Sequence, residues 1–290
     1  MAGRALSRRG LLGGAAGLVV LATGLVACSK TEGGPGSTDL LATIKERGYA
    51  RLGVANELPY SFAGADGVVQ GVEPEVAQAV LKRLGVGEAK GVVGTFASMI
   101  PSLQAGQIDI ICAALFMKES RCATVLFSEP DAVSDDAFAV APTNPKGIRA
   151  IKDLAATKAR VSVVGGTLEA STLEQHGIKD QALLVQDNKA GVEALTAGRV
   201  DAYLGPSLTI HEISRQGGAA FDVVRPVPEI PVTGAAVAFR KQDVSFRDRY
   251  NAELAKLKES GEFNAILSKW GFDPEIAKKT TAAELCQTKG

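Results

Sequence analysis

From residue 40 onward the apolar positions of this 290-residue chain alternate between two rhythms. Short aliphatic runs predict strands over 50–55, 68–71, 91–93, 108–114, 137–141, 160–164, 183–185, 200–204, 221–224 and 235–239. Between them the spacing turns helical, over 40–48, 74–84, 99–105, 151–154, 167–176, 189–197, 207–216, 244–260 and 263–270. Gly48, Gly106 and Gly198 stand as helix stops, and Pro74 sits in a first turn, where its missing N–H costs nothing. Strand–helix alternation predicts an α/β fold with largely parallel sheets, and the grammar runs twice, up to 114 and again from 137. Segments 128–136 and 225–232, rich in Pro, Asp and Glu, break the rhythm and read as crossovers. Two crossovers predict one discontinuous lobe, 39–132 plus 230–290, and one inserted lobe, 133–229, with a cleft between them that closes on a ligand. The pattern by itself leaves tandem domains on a single linker open as the other arrangement.

Residues 1–27 follow a different rule. Arg4, Arg8 and Arg9 precede an apolar run over 11–26, the layout of a signal peptide. The run is shorter than the roughly 20 apolar residues a membrane span needs. Arg8-Arg9 resembles a twin-arginine export signal, with the general export route as the alternative. Leu25-Val26-Ala27-Cys28 resembles a bacterial lipobox, which implies that Cys28 becomes the lipid-bearing first residue on the outer face of the cytoplasmic membrane. Residues 28–38, with Gly33, Gly34, Pro35 and Gly36, then read as a tether.

Charge and cysteines narrow the class. The chain has 32 basic and 32 acidic residues, and losing the leader's three arginines leaves it slightly acidic. A nucleic-acid partner would call for a basic excess, so none is expected. Of the cysteines beyond Cys28, Cys112 lies inside an apolar run and reads as a buried thiol. Cys122 and Cys286 lie outside strand patterns and are the preferred disulfide, which export permits. No metal-ligand spacing, phosphate loop or Ser–His–Asp order is present, so no cofactor is expected. His176 and His211 read as solvated helix residues, and Trp270 as an anchor for the C-terminal helices.

The block Ile100-Pro101-Ser102-Leu103-Gln104-Ala105-Gly106-Gln107-Ile108-Asp109, followed by Glu119-Ser120-Arg121 and Phe127-Ser128-Glu129-Pro130, resembles the polar amino-acid binding proteins of ABC importers. That family implies a two-lobed, type II periplasmic-binding-protein fold with two hinge strands, a monomer working with the importer's membrane subunits. Asn56-Glu57-Leu58-Pro59-Tyr60, Phe96-Ala97-Ser98-Met99 and Phe116-Met117-Lys118-Glu119-Ser120-Arg121-Cys122 are similar to its ectoine/hydroxyectoine-binding branch. The resemblance implies a ligand site of Glu57, the aromatics Tyr60, Phe96 and Phe116, and Arg121.

The chemistry of these residues suits a small zwitterion. Arg121 offers a planar fork for a carboxylate, Glu57 accepts from cationic N–H groups, and aromatic faces enclose a diffuse cation. Gly166 and Thr167, at a strand-to-helix turn, add an expected anion site at a helix N-terminus. Amino-acid binders carry an aspartate late in the second lobe, whereas this chain has Gly205-Pro206-Ser207 there and Asp201 too early, which speaks against an ordinary α-amino acid. Two other readings stay open: a binder of another polar or cationic amino acid, and a cyclohexadienyl-dehydratase-like enzyme with Glu169 as the second-lobe acid.

Overall fold

The computed structural model describes residues 39–64, 68–217 and 220–287. The expected signal peptide, Cys28 and the tether lie outside the described residues. The chain begins with α1 (Leu40–Arg47), β1 (Tyr49–Val54), the pair β2 (Phe62–Ala63) and β3 (Val69–Gln70), α2 (Val72–Arg83), β4 (Glu88–Val93), α3 (Met99–Gln104), β5 (Ile110–Ile111), α4 (Glu119–Thr124) and β6 (Leu126–Phe127). After β7 (Ala132–Ser134) come β8 (Asp136–Val140), α5 (Ile151–Thr157), β9 (Val161–Val164), α6 (Leu168–Gln175), β10 (Ala182–Val185), α7 (Asn188–Thr196), β11 (Ala202–Pro206), α8 (Ser207–Gly217) and β12 (Asp222–Val224). The return runs through β13 (Thr233–Ala235) and β14 (Ala238–Phe239) into α9 (Val244–Lys258), α10 (Gly261–Lys269), α11 (Pro274–Lys279) and α12 (Ala282–Leu285). Among the described residues no helix is long and apolar enough to cross a membrane.

Two five-stranded sheets result, ordered β4-β1-β5-β14-β6 and β10-β9-β11-β8-β12. β4, β1 and β5 run parallel, as do β10, β9 and β11, whereas β14 and β8 run antiparallel to their neighbours. Because β14 joins the first sheet from beyond the second, the chain crosses between the sheets twice. The two crossing strands, β7 and β13, pair antiparallel, Ala132 opposite Ala235 and Ser134 opposite Thr233. This arrangement excludes tandem domains on one linker.

The central strands of each sheet are buried on both faces, as parallel sheets require. One face of the first sheet packs Leu52, Val76, Val80, Tyr250, Leu254 and Phe263 together, and Trp270 leans on that cluster with its ring edge-on to Phe62. The other face gathers Met99, Leu103, Ile108 and Ile111, and this cluster also takes Val164 from the second sheet. The period-two alternation of β8 sends Phe138 and Val140 to one core and Ala137 and Ala139 to the other.

Several elements depart from the sequence pattern for identifiable reasons. The strand expected over 108–114 pairs only at Ile110–Ile111. Asp109 before it is fully buried and accepts from the Arg51 backbone N–H at 2.7 Å, from the Arg51 side chain at 2.8 Å and from Arg47. Burial pushes its carboxyl up, but Arg51 and Arg47 together hold it below the usual carboxylate range. Beyond the strand, Ala114 takes φ 52°, which turns the chain. The run over 235–239 is two strands, because Ala235 belongs to the crossing pair and Ala238 to the first sheet. Helices α4, α11 and α12 are too short for a periodic signal.

A disulfide joins Cys122 of α4 to Cys286 at the end of α12, and Cys112 is a buried free thiol. The bridge closes a loop with a sequence separation of 164 residues. Replacing both cysteines by serine should cost about 2–4 kcal/mol in denaturant unfolding. An unchanged midpoint would mean that packing of the buried Leu285 alone holds the tail.

Candidate functional site

The loop after β1 is built to present one carboxyl. Asn56 adopts φ 51°, which its side chain supports by accepting from the Ala63 N–H at 3.0 Å. Glu57 and Ser61 then exchange backbone hydrogen bonds of 2.6 and 2.8 Å, and the Tyr60 carbonyl accepts from Glu73 N–H at the start of α2. Gly71 is required here. Its φ is +117°, and a Cβ would fall 2.4 Å from the Tyr60 carbonyl oxygen. Glu57 is left 7 % exposed, facing the second sheet.

Arg121 occupies the centre. It projects from α4 and is 5 % exposed. Its Nη1 donates to the Phe116 carbonyl at 2.6 Å, and its Nη2 crosses to the Gly166 carbonyl of the second lobe at 2.8 Å. The guanidinium carbon lies 5.2 Å from the Phe96 ring centroid. Phe116 forms a β-bridge with Ala235 of the crossing strand β13. Lys118 also spans the lobes, its Nζ donating to Ser171 Oγ at 2.7 Å.

Glu57, Phe96, Phe116, Arg121 and Thr167 surround one enclosed space of about 10 Å³, together with Ala114, Leu168, Glu169 and Pro206. That volume is of the order of one water, so the lobes are drawn shut and a solute enters only if they part. Tyr60 does not line this space. It is fully buried behind Phe116, edge-on at 5.9 Å, and packs against Phe272 at 4.9 Å. Gly166 contributes its carbonyl to Arg121. The Thr167 hydroxyl caps its own helix, accepting from Ala170 N–H and donating to the Val164 carbonyl.

The electrostatics are those of charges kept from water. Burial, then the Glu169 carboxyl, push Glu57 up to about 8, against the pull of Asn188 and Arg121. Burial lowers Arg121 to about 10, opposed by Glu169 and Glu57. Burial and the neighbouring Arg121 lower Lys118 to about 8. Asn188 and Asp136, which the sequence reading missed, lie behind the lining as neighbours of Glu57 and Glu169. The Tyr203 hydroxyl donates to Asn188 Oδ1, which leaves the Asn188 amide free to face Glu57. The Tyr203 ring lies over both Gly191 and Gly205, where any Cβ would collide with it. Asp201 points elsewhere, to Lys146 and the Arg160 N–H. The readable signal for Asn188 is a polar pair, Asp187-Asn188, at the cleft end of β10.

A larger groove of about 540 Å³ lies between Phe62, Leu208, Arg215, Arg225 and Trp270. Its cations are already paired, Arg215 with Glu212, Arg225 with Asp135 and Lys269 with Glu75. Among the described residues no cluster of His, Cys, Asp and Glu is arranged to hold a metal ion.

Residues 50–274 match the family described as bacterial extracellular solute-binding proteins, family 3. This chain belongs to that family. It is 29 % identical over 259 residues to a probable amino-acid ABC transporter periplasmic-binding protein, y4tE, of Sinorhizobium fredii (strain NBRC 101917 / NGR234), covering 85 % of each chain. It is 29 % identical over 282 residues to the L-cystine-binding protein TcyJ of Escherichia coli (strain K12), covering 94 % of this chain and 98 % of that protein. The crystal structure of EhuB in complex with hydroxyectoine superposes with a TM-score of 0.83 at 40 % identity, covering 87 % of this chain and all of that one. The fold is therefore the type II periplasmic-binding-protein architecture. The chain is an extracytoplasmic solute-binding protein of the amino-acid ABC importer type, and such proteins deliver small solutes to membrane transporter subunits.

One buried acid of this family 3 protein supports the site from behind. Glu73 Oε2 accepts from Ala114 N–H at 2.9 Å and so fixes the turn that carries Phe116. Burial, and after it Asp131, hold the Glu73 carboxyl well above the usual range, which favours its protonated form. Glu73→Gln, whose amide oxygen accepts the same N–H, should leave urea stability nearly unchanged. Glu73→Leu should lose about 1–3 kcal/mol by stranding that donor.

Proposed function

We propose that this protein is a binding component, not an enzyme, that captures ectoine- or hydroxyectoine-like compatible solutes for an ABC importer. The observation that carries the reading is one small buried space lined together by Arg121, Glu57, Glu169 and the rings of Phe96 and Phe116. Ectoine is a cyclic amidinium bearing a carboxylate. Its carboxylate would meet Arg121, its N–H groups would meet Glu57, and its delocalised charge would sit against the rings. Likeness to EhuB, solved with hydroxyectoine, supports the same ligand class. Gly166 and Thr167 are proposed to border the carboxylate end, and Tyr60 to act through the placement of Phe116. We also propose cleavage of a signal peptide before Cys28 and lipid anchoring through that residue, which would keep a monomeric binder beside its transporter.

A second reading, a polar amino acid, is favoured by the additional second-lobe acids and by likeness to the cystine-binding TcyJ. Titration calorimetry with ectoine, hydroxyectoine, glycine betaine, arginine, glutamine and cystine separates the two. Ectoine binding is expected; binding of an amino acid without ectoine would refute the compatible-solute reading, and turnover of prephenate would refute the binding role. Arg121→Ala should weaken ectoine binding at least about 100-fold, since it leaves a buried carboxylate unpaired.

Glu57 gives a pH signature. Its carboxyl holds a proton up to about 8. A bound cation favours the carboxylate, so binding below that value must expel the proton. Ectoine affinity should therefore rise by up to about tenfold per pH unit from pH 6 towards 8 and then level off. Glu57→Gln should flatten that rise as well as weaken binding.

A further inference from the structure

The acid that the sequence lacks at the end of β11 is supplied by the next strand. Pro206, at that end, has Asp136 of β8 as its register partner across the antiparallel ladder. Asp136 is 1 % exposed, and neither of its carboxyl oxygens meets a hydrogen-bond donor. Glu169, in the first turn of α6, is 2 % exposed, borders the enclosed space, and has its Oε2 without a donor. The two carboxyls lie within hydrogen-bond reach of each other.

Carboxylates only accept, so two that face each other need a proton between them. Burial, then the charge of Glu169, hold Asp136 well above the usual carboxylate range, with smaller contributions from Asp135 and Glu57. Glu169 stands in the first turn of α6, within electrostatic range of Arg121 and Lys118. With the shared proton on Asp136, Glu169 is the acceptor of the pair, and it borders the ligand space with its Oε2 lacking a donor.

We propose that Asp136 and Glu169 form a second-lobe acceptor for an N–H group on the ligand's cationic end, with Glu169 touching the ligand and Asp136 positioning it. This rests on the zwitterion reading of the site. It specifies the class of cation: an amidinium, guanidinium or primary ammonium satisfies the acceptor, whereas a quaternary ammonium leaves it buried and unpaired. Specificity for N–H cations therefore resides in the inserted lobe as well as in Glu57.

Calorimetry on the full-length protein with ectoine, arginine and glycine betaine tests this, using wild type, Glu169→Gln and Asp136→Asn, with thermal unfolding run alongside. Wild type should prefer its N–H ligand over glycine betaine by at least about 100-fold. Glu169→Gln should lower N–H ligand affinity roughly 10- to 100-fold and glycine betaine affinity much less, so the ratio contracts. Asp136→Asn should lose less than about tenfold, a smaller loss than Glu169→Gln, because its amide N–H can still donate to Glu169. Equal wild-type affinity for glycine betaine, an unchanged ratio in Glu169→Gln, or a loss above tenfold in Asp136→Asn would each overturn the assignment. A wild type that binds arginine but not ectoine refutes the compatible-solute reading alone, and the same ratios measured with arginine still decide the role of the pair. If Glu169→Gln unfolds, the Asp136→Asn limit and the wild-type preference remain decisive.

Discussion

Arg121 is held between two sheets with one N–H on the Phe116 carbonyl and another on the Gly166 carbonyl. A guanidinium so enclosed is tolerated only if its donors are satisfied and its charge is answered nearby. Both conditions shape the cleft. The carbonyls come from the two lobes, so the side chain proposed to meet the ligand also ties the lobes together. The answering acids, Glu57 and Glu169, come from opposite lobes and line the same space as Arg121. They repel one another, and burial pushes Glu57 to hold a proton. A zwitterion fits such a field better than either a plain anion or a plain cation. Its two ends meet opposite charges, and its positive end takes over the proton's task.

The fold converts that local balance into a moving part. β7 and β13 are the strands that cross between the sheets, and Phe116 is bridged to β13 at Ala235. A ring of the site is thus fixed to the crossing strand. Behind it, Glu73 secures the Ala114 turn and stands close to Asp131, which immediately precedes β7. Site wall and crossing strands are one packed unit, and the second lobe is the partner that can swing. This is the hinge motion of two-lobed binders, reached here from hydrogen bonds and packing.

Much of this was readable in the chain. Alternating apolar runs and helical spacings marked two α/β units, and the Pro- and acid-rich breaks at 128–136 and 225–232 fell where the chain changes sheets. Glu57, Phe96, Phe116 and Arg121 were legible because each follows a strand or opens a helix inside a recognisable block. What the pattern hid was tertiary. Asp136 opens an ordinary strand and comes beside the candidate site only through its register with Pro206, which lines it. Asn188 reads as a helix start until the Tyr203 hydroxyl occupies its oxygen. Tyr60 carries the same motif signal as Phe116, yet packing places it one layer deeper. Gly205 looked like an acid left out, and it is a glycine because the Tyr203 ring leaves no room for a Cβ.

A crystal structure of the protein grown with ectoine tests the central claim, that opposed charges on the two lobes orient a zwitterion. The account predicts the solute between Phe96 and Phe116, its carboxylate on Arg121 and its amidinium N–H groups on Glu57 and Glu169. Ectoine bound the other way round, or held outside this space, would contradict it.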